Sequence, residues 1–364
     1  MATTTQNPSK FKATPEQQAS LPHFFYQQLT CRPKPVTGAN LYGKTAIITG
    51  SNTGIGLETA RQLLGLGVSK LVLAVRNEAK GAAAAANLTK GLQDTNKQAT
   101  PSIIEVWNLD LSVYDSILAF CARAKKELDT LDIAVLNAGI GPAARYFNPH
   151  TGHDEVIQAN YLSTALLAIL LLPIIQSKRQ HQSGPSRMTI VNSETTSHKP
   201  GTPPASILAA LDAGDQDGKP VDMLDRMFVS KLLGQFFLSE IAQVVDPSLV
   251  IINATSPSWV LETEFNRDRD GTTVLYTIEK FVLKRVVANT AAVGARMVTD
   301  AAVNHGEETH GEMLSFQQLV PLATIIYTEE GSKISKQLWE ETLSELEFAG
   351  VREILSKVRR RRSS

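Results

Sequence analysis

Cysteine is scarce in this chain of 364 residues, which contains only Cys31 and Cys121. The two cysteines form neither a CxxC pair nor the spacing of a metal site. The sequence therefore predicts no bound metal and excludes a disulfide framework. A reducing compartment fits this cysteine usage best, and we predict a cytoplasmic protein.

An excess of charge of either sign is also absent. Lys and Arg together number 36, as do Asp and Glu, so the formal net charge is zero. Bulk electrostatics therefore give no reason to expect a nucleic-acid partner. Four arginines, Arg359 to Arg362, stand near the end of the chain, and we interpret them as part of a solvated tail.

Long hydrophobic runs are missing as well. The first ten residues, MATTTQNPSK, contain no apolar core of a secretory signal. The longest apolar run, residues 165–175, has 11 residues and contains Pro173, and it is too short to span a bilayer. The sequence predicts a buried helix at this run and no membrane span.

Short β-branched runs alternate with helix-length stretches from Lys44 onward. The strand candidates are nearly continuous in apolar residues, as expected for parallel strands that are covered on both faces. They are residues 45–49, 70–75, 102–107, 132–137, 188–192 and 249–254, with a shorter run at 312–316. The helix candidates are residues 57–66, 80–92, 114–128, 155–176 and 225–244. This alternation predicts right-handed crossovers and an α/β fold with a Rossmann-type doubly wound parallel sheet.

The chain is predicted to form a single domain with an extension at each end. We place the N-terminal extension at 1–40, the domain at 41–345, and a C-terminal helix with its basic tail at 346–364. The polar N-terminal extension should lie on the domain or be partly disordered. Two stretches interrupt the strand–helix alternation, 199–224 and 258–284. Connections of this length inside a domain are usually functional, so both are predicted to be substrate lids.

A glycine-rich turn follows the first strand and opens the first helix. Dinucleotide binding needs a turn without Cβ atoms, so that the backbone can approach the pyrophosphate. It also needs a helix N-terminus whose N–H groups face that anion. Gly50 and Gly54 serve the tight turn, and Gly56 lets the helix pack closely on the strand. The predicted cofactor-binding residues of this turn are Gly50, Ser51, Asn52, Thr53, Gly54, Ile55 and Gly56.

The end of the second strand predicts NADP(H) rather than NAD. NAD-specific folds carry an acidic residue about 20 residues past the glycine motif, where it binds the ribose 2′-hydroxyl. Here Val75 takes that position, and Arg76 and Asn77 follow it. A guanidinium can make paired, charge-assisted hydrogen bonds to a 2′-phosphate, so Arg76 is predicted to select NADP(H).

Further motifs follow in a recognisable order. They are Asp110-Leu111-Ser112 after the third strand, Asn137-Ala138-Gly139 after the fourth, Asn160 in a helix, Ser193 after the fifth strand, and Ser230-Lys231. With the spacing GxxxGxG at residues 50–56, this order resembles the short-chain dehydrogenase/reductase family. The resemblance covers roughly residues 43–340. It is strongest for the retinol-dehydrogenase-like and WW-domain-oxidoreductase-like subgroup, including its fungal members.

The resemblance implies further cofactor contacts. Asp110 and Leu111 match the family's adenine-binding motif. Asn137, Ala138 and Gly139 match the motif after the fourth strand that also serves the cofactor. After the sixth strand the family's Pro-Gly pair is Pro257-Ser258, and Val260 would offer its backbone N–H near the nicotinamide carboxamide.

Three of the four catalytic residues implied by the resemblance are present. Ser193 would steady the substrate oxygen, Asn160 would organise a water relay, and Lys231 would hold the nicotinamide ribose. The fourth is a tyrosine that acts as general acid, four residues before the lysine. In this chain that position is Met227, and a thioether has no proton to give.

Four explanations for Met227 are open at this point. Another group could supply the proton: a water held by Lys231 and Asn160, or Glu194, or His198. The substrate could need only hydride transfer, with protonation by solvent. The pocket could catalyse a non-redox step such as cyclisation, isomerisation or dehydration. Finally, the protein could be a silent NADP-binding partner.

The function that the resemblance implies is NADPH-dependent chemistry on a bulky apolar small molecule in secondary metabolism. The alternative is a pseudo-reductase that performs a non-redox step or binds NADP silently. Ser193, Lys231 and Asn160 are all retained in register, which favours chemistry. In the family, the helices that carry the Asn and the Lys often form a homodimer interface. The long lid and the N- and C-terminal extensions could equally cover that surface.

Overall fold

Eight strands form one sheet in the order β3-β2-β1-β4-β5-β6-β7-β8. The computed structural model describes residues 10–94, 102–196, 204–213, 221–260 and 288–358. All neighbouring strands are parallel except β7 and β8, which form an antiparallel pair. The strands are β1 Thr45–Thr49, β2 Lys70–Val75, β3 Ile103–Asn108, β4 Ile133–Leu136, β5 Ser186–Val191, β6 Val250–Ser256, β7 Met313–Ser315 and β8 Gln318–Val320.

Helices cover both faces of this sheet. Within the described residues they are α1 Pro15–Gln18, α2 Leu21–Thr30, α3 Gly54–Gly65, α4 Glu78–Asp94, α5 Tyr114–Glu127, α6 Glu155–Ile157, α7 Ser163–Lys178, α8 Ile207–Ala213, α9 Met223–Val244, α10 Ala291–Val303, α11 Glu329–Glu345 and α12 Val351–Val358. One apolar core lies between the sheet and helices α5, α7, α9, α11 and α12. A second core lies between the sheet and α3, α4 and α10.

The predicted fold class is confirmed. The first, second, fourth and sixth strands begin within one residue of the predicted bounds, and β1 is buried along its whole length, as expected for a central parallel strand. The sequence did not predict β8. It pairs with β7 through a two-residue turn in which Phe316 and Gln317 both have positive φ, 47° and 63°.

The long apolar helix of the sequence is a core element. The stretch Glu155–His181 is long and apolar enough to cross a membrane by length and composition. Its most apolar 18-residue window has a mean hydropathy of 1.7, and 83% of that window is buried inside the protein. This burial agrees with the predicted buried helix. Residues Gln158–Leu162 form a π-helical turn between α6 and α7. Such turns are rare and are frequent at functional sites.

The N-terminal extension lies on the domain from Lys10 onward. Its helix α1 begins with a capping box at Thr14, and α2 begins after the N-cap Ser20. The Lys10 ammonium lies 3.0 Å from a carboxylate oxygen of Glu312. Farther along, the Gln317 side-chain amide both accepts from the Lys34 N–H (2.7 Å) and donates to the Lys34 carbonyl (2.9 Å).

The C-terminal helices pack over α7 and α9. The Tyr161 hydroxyl lies 2.6 Å from the Thr342 hydroxyl, and Ser335 on α11 donates to Glu240 on α9 at 2.5 Å. The Phe237 and Trp339 rings stack with centroids 5.9 Å apart. The chain's own C-terminal helices therefore cover a surface of the helices that often form a homodimer interface in the family.

The stretch 199–224, predicted to be a substrate lid, contains the anchored helix α8. The Glu341 carboxylate accepts hydrogen bonds from the Ile207 and Leu208 N–H groups, both at 2.9 Å. At the other end of α8, the Arg145 guanidinium donates to the Leu211 and Asp212 carbonyls. Residues 197–203, with His198, and 214–220 lie outside the described residues, as do 261–287 of the second predicted lid and the arginines at 359–362.

His153 joins three elements, and this contact predicts a pH-dependent stability. Its Nδ1 lies 2.6 Å from Asp212 on α8, and its Nε2 lies 3.2 Å from Glu345 on α11. These hydrogen bonds raise the His153 pKa from 6.5 to about 9. A raised folded-state pKa stabilises the fold fully below pH 6.5, and this stabilisation is lost as the pH rises through 9.

The wild-type free energy of unfolding should therefore fall by about 1–2 kcal/mol between pH 6.5 and 9 through this group. Denaturant titrations across this range should show a flatter profile for His153→Gln. The exposed His150 provides the control, because His150→Gln should keep the wild-type slope. A wild-type slope in His153→Gln would contradict the assignment.

Candidate active site

The glycine-rich turn after β1 forms a close cradle at the C-terminal edge of the sheet. Gly50 has φ = 64°, a conformation that favours glycine, and Gly54 has φ = 57°. A Cβ at Gly56 would lie 2.4 Å from the Gly50 carbonyl oxygen, so no larger residue fits there without moving the turn. Glycine at these positions lets the turn pack closely against the start of the helix and the residues after β4.

Helix α3 begins inside this turn. Thr53 is its N-cap residue, but the Thr53 side chain makes no capping hydrogen bond. No described side chain therefore caps the first N–H groups of α3, around Ile55, and the positive end of the helix dipole is available to an anion. Ser51 is buried and donates to the Ile48 carbonyl at 2.9 Å, which fixes the turn to β1. Asn52 lies between Ser51 and Thr53 in this turn.

The ends of β4 and β1 are joined beside the cradle. The backbone N–H groups of Asn137 and Ala138 both donate to the Thr49 hydroxyl, at 2.9 Å each. The Asn137 side chain donates to the Thr49 carbonyl at 2.9 Å and to the Gly50 carbonyl at 3.3 Å. Gly139 continues the chain from this junction. The motif residues after β4 thus hold the glycine turn in place.

The second and third strands end at the same edge. Arg76 is exposed, and among the described residues no carboxylate lies within ion-pair distance of its guanidinium. Asn77 caps the start of α4 by accepting from the Lys80 N–H at 2.9 Å. Asp110 accepts from the Ser112 N–H at 2.9 Å, and Leu111 is buried. An anion that approaches this edge would meet Arg76 in solvent.

The segment after β6 lies next to the glycine turn. A Cβ at Gly294 of α10 would lie 2.7 Å from Val260, 3.5 Å from Pro257 and 3.6 Å from Ile55, so these three side chains meet around one point. Ser258, at the position of the family's glycine, has φ = 58°. This segment, which the resemblance places near the nicotinamide carboxamide, therefore stands beside the start of α3.

Asn160 lies in the π-helical turn and connects two elements of the site. Its Oδ1 accepts from the Ile140 N–H at 2.8 Å, and its Nδ2 donates to the Ile140 carbonyl at 3.0 Å. Nδ2 also lies 3.2 Å from the Ser230 hydroxyl, on α9. Asn160 therefore fixes the loop after β4 to the helix that carries Lys231.

Lys231 and Asn160 line one small cavity between α7, α9 and the ends of β4 and β5. The Lys231 ammonium donates to the Val191 carbonyl at 3.1 Å. Burial lowers the Lys231 pKa from 10.5 to about 8, because the charged form loses hydration without a described carboxylate to compensate. A polar ligand group in this cavity would supply the missing partner.

Ser193 and Met227 complete the set of predicted catalytic residues. The Ser193 hydroxyl accepts from the Thr195 N–H at 3.0 Å. Met227 stands one helical turn before Lys231, so the two side chains leave the same side of α9. The Met227 carbonyl accepts from the Ser230 hydroxyl at 2.7 Å. Because residue 227 is a methionine, its side chain has no hydroxyl group that could donate a proton.

Two residues in this region were missed by sequence reasoning. The buried Gln235 donates to the Ser193 carbonyl at 2.9 Å and accepts from the Ala323 N–H at 2.7 Å, so it positions the end of β5. Gln28, in the N-terminal extension, is buried against the segment after β6 and donates to the Trp259 carbonyl at 3.0 Å. Neither belongs to a motif. For Gln235, its place one turn after Lys231 was the available signal.

Comparisons with known proteins agree with this architecture. A family model described as short chain dehydrogenase matches residues 44–196. A solved structure of an NADPH-bound short chain oxidoreductase from Pseudomonas aeruginosa PAO1, described as containing an atypical catalytic center, has a TM-score of 0.55. It is 18% identical in sequence and covers 76% of this chain and 96% of its own, a level of similarity that shows the fold.

Curated fungal proteins are similar along almost the whole chain. The short-chain dehydrogenase fogG of Aspergillus ruber is 38% identical over 96% of this chain and 98% of its own length. The short chain dehydrogenase/reductase mfmJ of Annulohypoxylon moriforme is 39% identical over 92% of this chain and 94% of its own. This identity and coverage show that the chain belongs to the short-chain dehydrogenase/reductase family of oxidoreductases.

Proposed function

We propose that this protein binds NADP(H) and uses it to transform a bulky apolar small molecule of secondary metabolism. The observation that carries the proposal is that Lys231 and Asn160 line the same small cavity, next to the glycine-rich turn. A partly buried lysine without a described carboxylate is unfavourable in the protein alone, so its retention indicates a ligand. The fungal relatives support an enzyme of the short-chain dehydrogenase/reductase type.

The cradle fits the pyrophosphate of a dinucleotide. The turn at Gly50 and Gly56 leaves no room for a Cβ, and the start of α3 offers N–H groups to an anion. Arg76 would hold the 2′-phosphate, and Asp110 with Leu111 would adjoin the adenine. The similar NADPH-bound oxidoreductase from Pseudomonas aeruginosa supports the choice of this cofactor.

The chain's own residues then have defined tasks. Bound NADPH would supply a hydride. Ser193 would donate a hydrogen bond to the substrate oxygen, because its hydroxyl oxygen accepts from the Thr195 N–H and its own proton remains available. Lys231 would turn from the Val191 carbonyl to a ligand hydroxyl. Asn160 would keep α9 and the loop after β4 in register. The proton reaches the substrate oxygen from a group other than residue 227.

Equilibrium binding tests the proposed cofactor directly. NADPH should bind the wild-type protein and quench or shift its intrinsic fluorescence. Gly56→Val should lose this binding, because a Cβ would displace the glycine turn. Wild-type protein that binds neither NADPH nor NADP⁺ would refute the proposal.

Cofactor preference gives a second, finer test. NADPH should bind at least about tenfold more tightly than NADH, a difference of about 1.4 kcal/mol. Arg76→Ala should remove most of this difference by weakening NADPH alone. Lys90→Ala changes an exposed lysine farther along α4 and should keep the wild-type preference. Isothermal titration of the two cofactors into the three proteins measures this, and equal wild-type affinities would contradict the role of Arg76.

A non-redox function is the second candidate, and Met227 is the observation that favours it. Without a phenol at this position, the site could still bind and polarise a carbonyl through the Ser193 hydroxyl. Cyclisation, isomerisation or dehydration would then proceed without consumption of NADPH. Product formation at a constant NADPH concentration would establish this candidate, whereas stoichiometric NADPH consumption would exclude it.

A further inference from the structure

A cluster of neutral polar groups lies beside Ser193 and takes no part in the mechanism above. At its centre is the Glu194 carboxyl group. Its Oε2 lies 2.5 Å from the Ser315 hydroxyl at the end of β7 and 3.2 Å from the Gln18 amide in α1. Its Oε1 lies 3.0 Å from the Ser258 hydroxyl after β6. The cluster therefore joins the ends of three strands to the N-terminal extension.

Gln28 of α2 also belongs to this cluster, because its side chain contacts the Ser258 hydroxyl. Its Nε2 donates to the Trp259 carbonyl at 3.0 Å, and its Oε1 faces the Trp259 N–H at 3.4 Å. These two contacts fix the orientation of the amide. Its Oε1 also lies 2.6 Å from the Ser258 hydroxyl. Because Oε1 carries no proton, Ser258 must donate to it.

The proton count then defines the state of Glu194. Ser258 has a single hydroxyl proton, which Gln28 receives, so the contact between Ser258 and Glu194 requires a proton on the Glu194 carboxyl. Burial among neutral partners raises the Glu194 pKa, which agrees with this assignment. No described cation forms an ion pair with Glu194. A neutral carboxyl satisfies all of its contacts: it donates to Ser258 and accepts from Ser315 and Gln18.

This arrangement holds a strained turn next to the expected nicotinamide position. Ser258 keeps φ = 58° without being glycine, a conformation that costs about 1 kcal/mol and persists only when its surroundings fix it. Glu194 and Gln28 contact the Ser258 side chain from opposite sides. The adjoining Val260 packs near Ile55 of the glycine turn, so a shift of the turn would change the cofactor site.

We propose that Glu194 is a positioning residue whose carboxyl group couples the N-terminal extension to the turn after β6, and that this coupling shapes the wall facing the nicotinamide. The proposal rests on NADP(H) as the cofactor, as proposed above. Helices α1 and α2 are then part of the cofactor site, although neither carries a motif. Gln18 and Gln28 are both buried in this network, with exposed fractions of 4% and 1%.

Two readouts test the proposal in the full-length protein. Amide hydrogen exchange of residues 15–30, measured without cofactor, reports the attachment of the extension. NADPH affinity reports the shape of the site. Glu194→Leu should accelerate exchange in α1 and α2 at least about tenfold and weaken NADPH binding by about tenfold. Gln28→Leu, which changes a residue far along the chain from the site, should have the same two effects.

Glu194→Gln is the decisive variant. A glutamine can donate to Ser258 and accept from Ser315, as a neutral carboxyl does, so both readouts should stay within about threefold of wild type. Leu29→Ala, on the exposed side of α2, is the control and should leave both unchanged. Combining Glu194→Leu with Gln28→Leu should give little further loss, because the two residues belong to one network.

The outcomes separate this proposal from the proposed function. If Glu194→Gln is as damaging as Glu194→Leu, the carboxyl acts as a charge or as a proton donor, and the positioning role is wrong. Unchanged exchange in Glu194→Leu and Gln28→Leu would also overturn it. A wild-type protein that binds no NADPH would refute NADP(H) as the cofactor and the role of Glu194 in shaping its site. The hydrogen-exchange data would still decide whether Glu194 attaches the N-terminal extension to the turn after β6.

Discussion

Met227→Tyr should reduce a simple ketone with NADPH about 10- to 100-fold faster than the wild-type protein. The substitution places a phenol one helical turn before Lys231, on the same side of α9. The Lys231 ammonium would lower the phenol pKa toward neutrality. The phenol could then give its proton to the carbonyl oxygen while the carbonyl carbon receives the hydride. The measurement is NADPH consumption at 340 nm (the wavelength at which the reduced nicotinamide absorbs), with a ketone in excess.

Met227→Phe is the matched control for this gain. It introduces the same ring without the hydroxyl, so it should stay at the wild-type rate. Adding Ser193→Ala to Met227→Tyr should remove most of the gain. An equal gain in Met227→Phe would show that packing rather than acid catalysis is responsible. Strong wild-type reduction that disappears in Ser193→Ala would show that another acid already serves the site.

Lys231→Met should stabilise the cofactor-free protein and weaken its NADPH binding. Because burial lowers the lysine pKa to about 8, the folded state holds the ammonium less readily than the unfolded chain, whose lysine titrates at 10.5. Below pH 8 the protonated lysine therefore opposes folding, and wild-type stability rises as the pH increases from 8 to 10.5. Removing the charge should raise the free energy of unfolding by about 1–3 kcal/mol at pH 7, after the lost Val191 hydrogen bond is deducted.

Urea titrations at pH 7 and pH 10 measure this effect, and calorimetry measures NADPH binding. The stability difference between Lys231→Met and wild type should shrink at pH 10. NADPH affinity should fall more than about tenfold. Together the two results would show that Lys231 serves cofactor binding and lowers the stability of the cofactor-free protein. Lys90→Met, at an exposed position, should alter neither quantity. A Lys231→Met protein less stable than wild type would contradict the burial argument.

The central sheet could be predicted because its signals are local. Apolar runs such as residues 45–49 and 70–75 became β1 and β2 with unchanged bounds. The strand β8 was missed because its turn at Phe316 and Gln317 uses positive φ without glycine or asparagine, the residues that usually announce such a turn. The Gln317 side chain in this turn is hydrogen-bonded to the backbone of Lys34, which lies far away in the sequence.

The predicted site residues were found through motif spacing, and the structure brings several of them together. Asn160 and Lys231 line one cavity, and Asn137 touches the glycine turn. The supporting residues could not be found in this way. Gln18, Gln28 and Gln235 are polar side chains in helices, and sequence patterns place such residues at the surface. Only the tertiary contacts show that each is buried against a backbone or carboxyl group.

The helices that carry the predicted catalytic residues are supported from within the same polypeptide. Helix α11 packs on α9 through Trp339 with Phe237 and on the π-helical turn through Thr342 with Tyr161, and helix α12 packs on α7. Such support is intramolecular, so its effective concentration does not fall when the protein is diluted. The contribution of these helices to the shape of the Lys231 cavity therefore does not depend on protein concentration. An enzyme whose site helices meet across a subunit interface would instead depend on that concentration, because dissociation would remove the support.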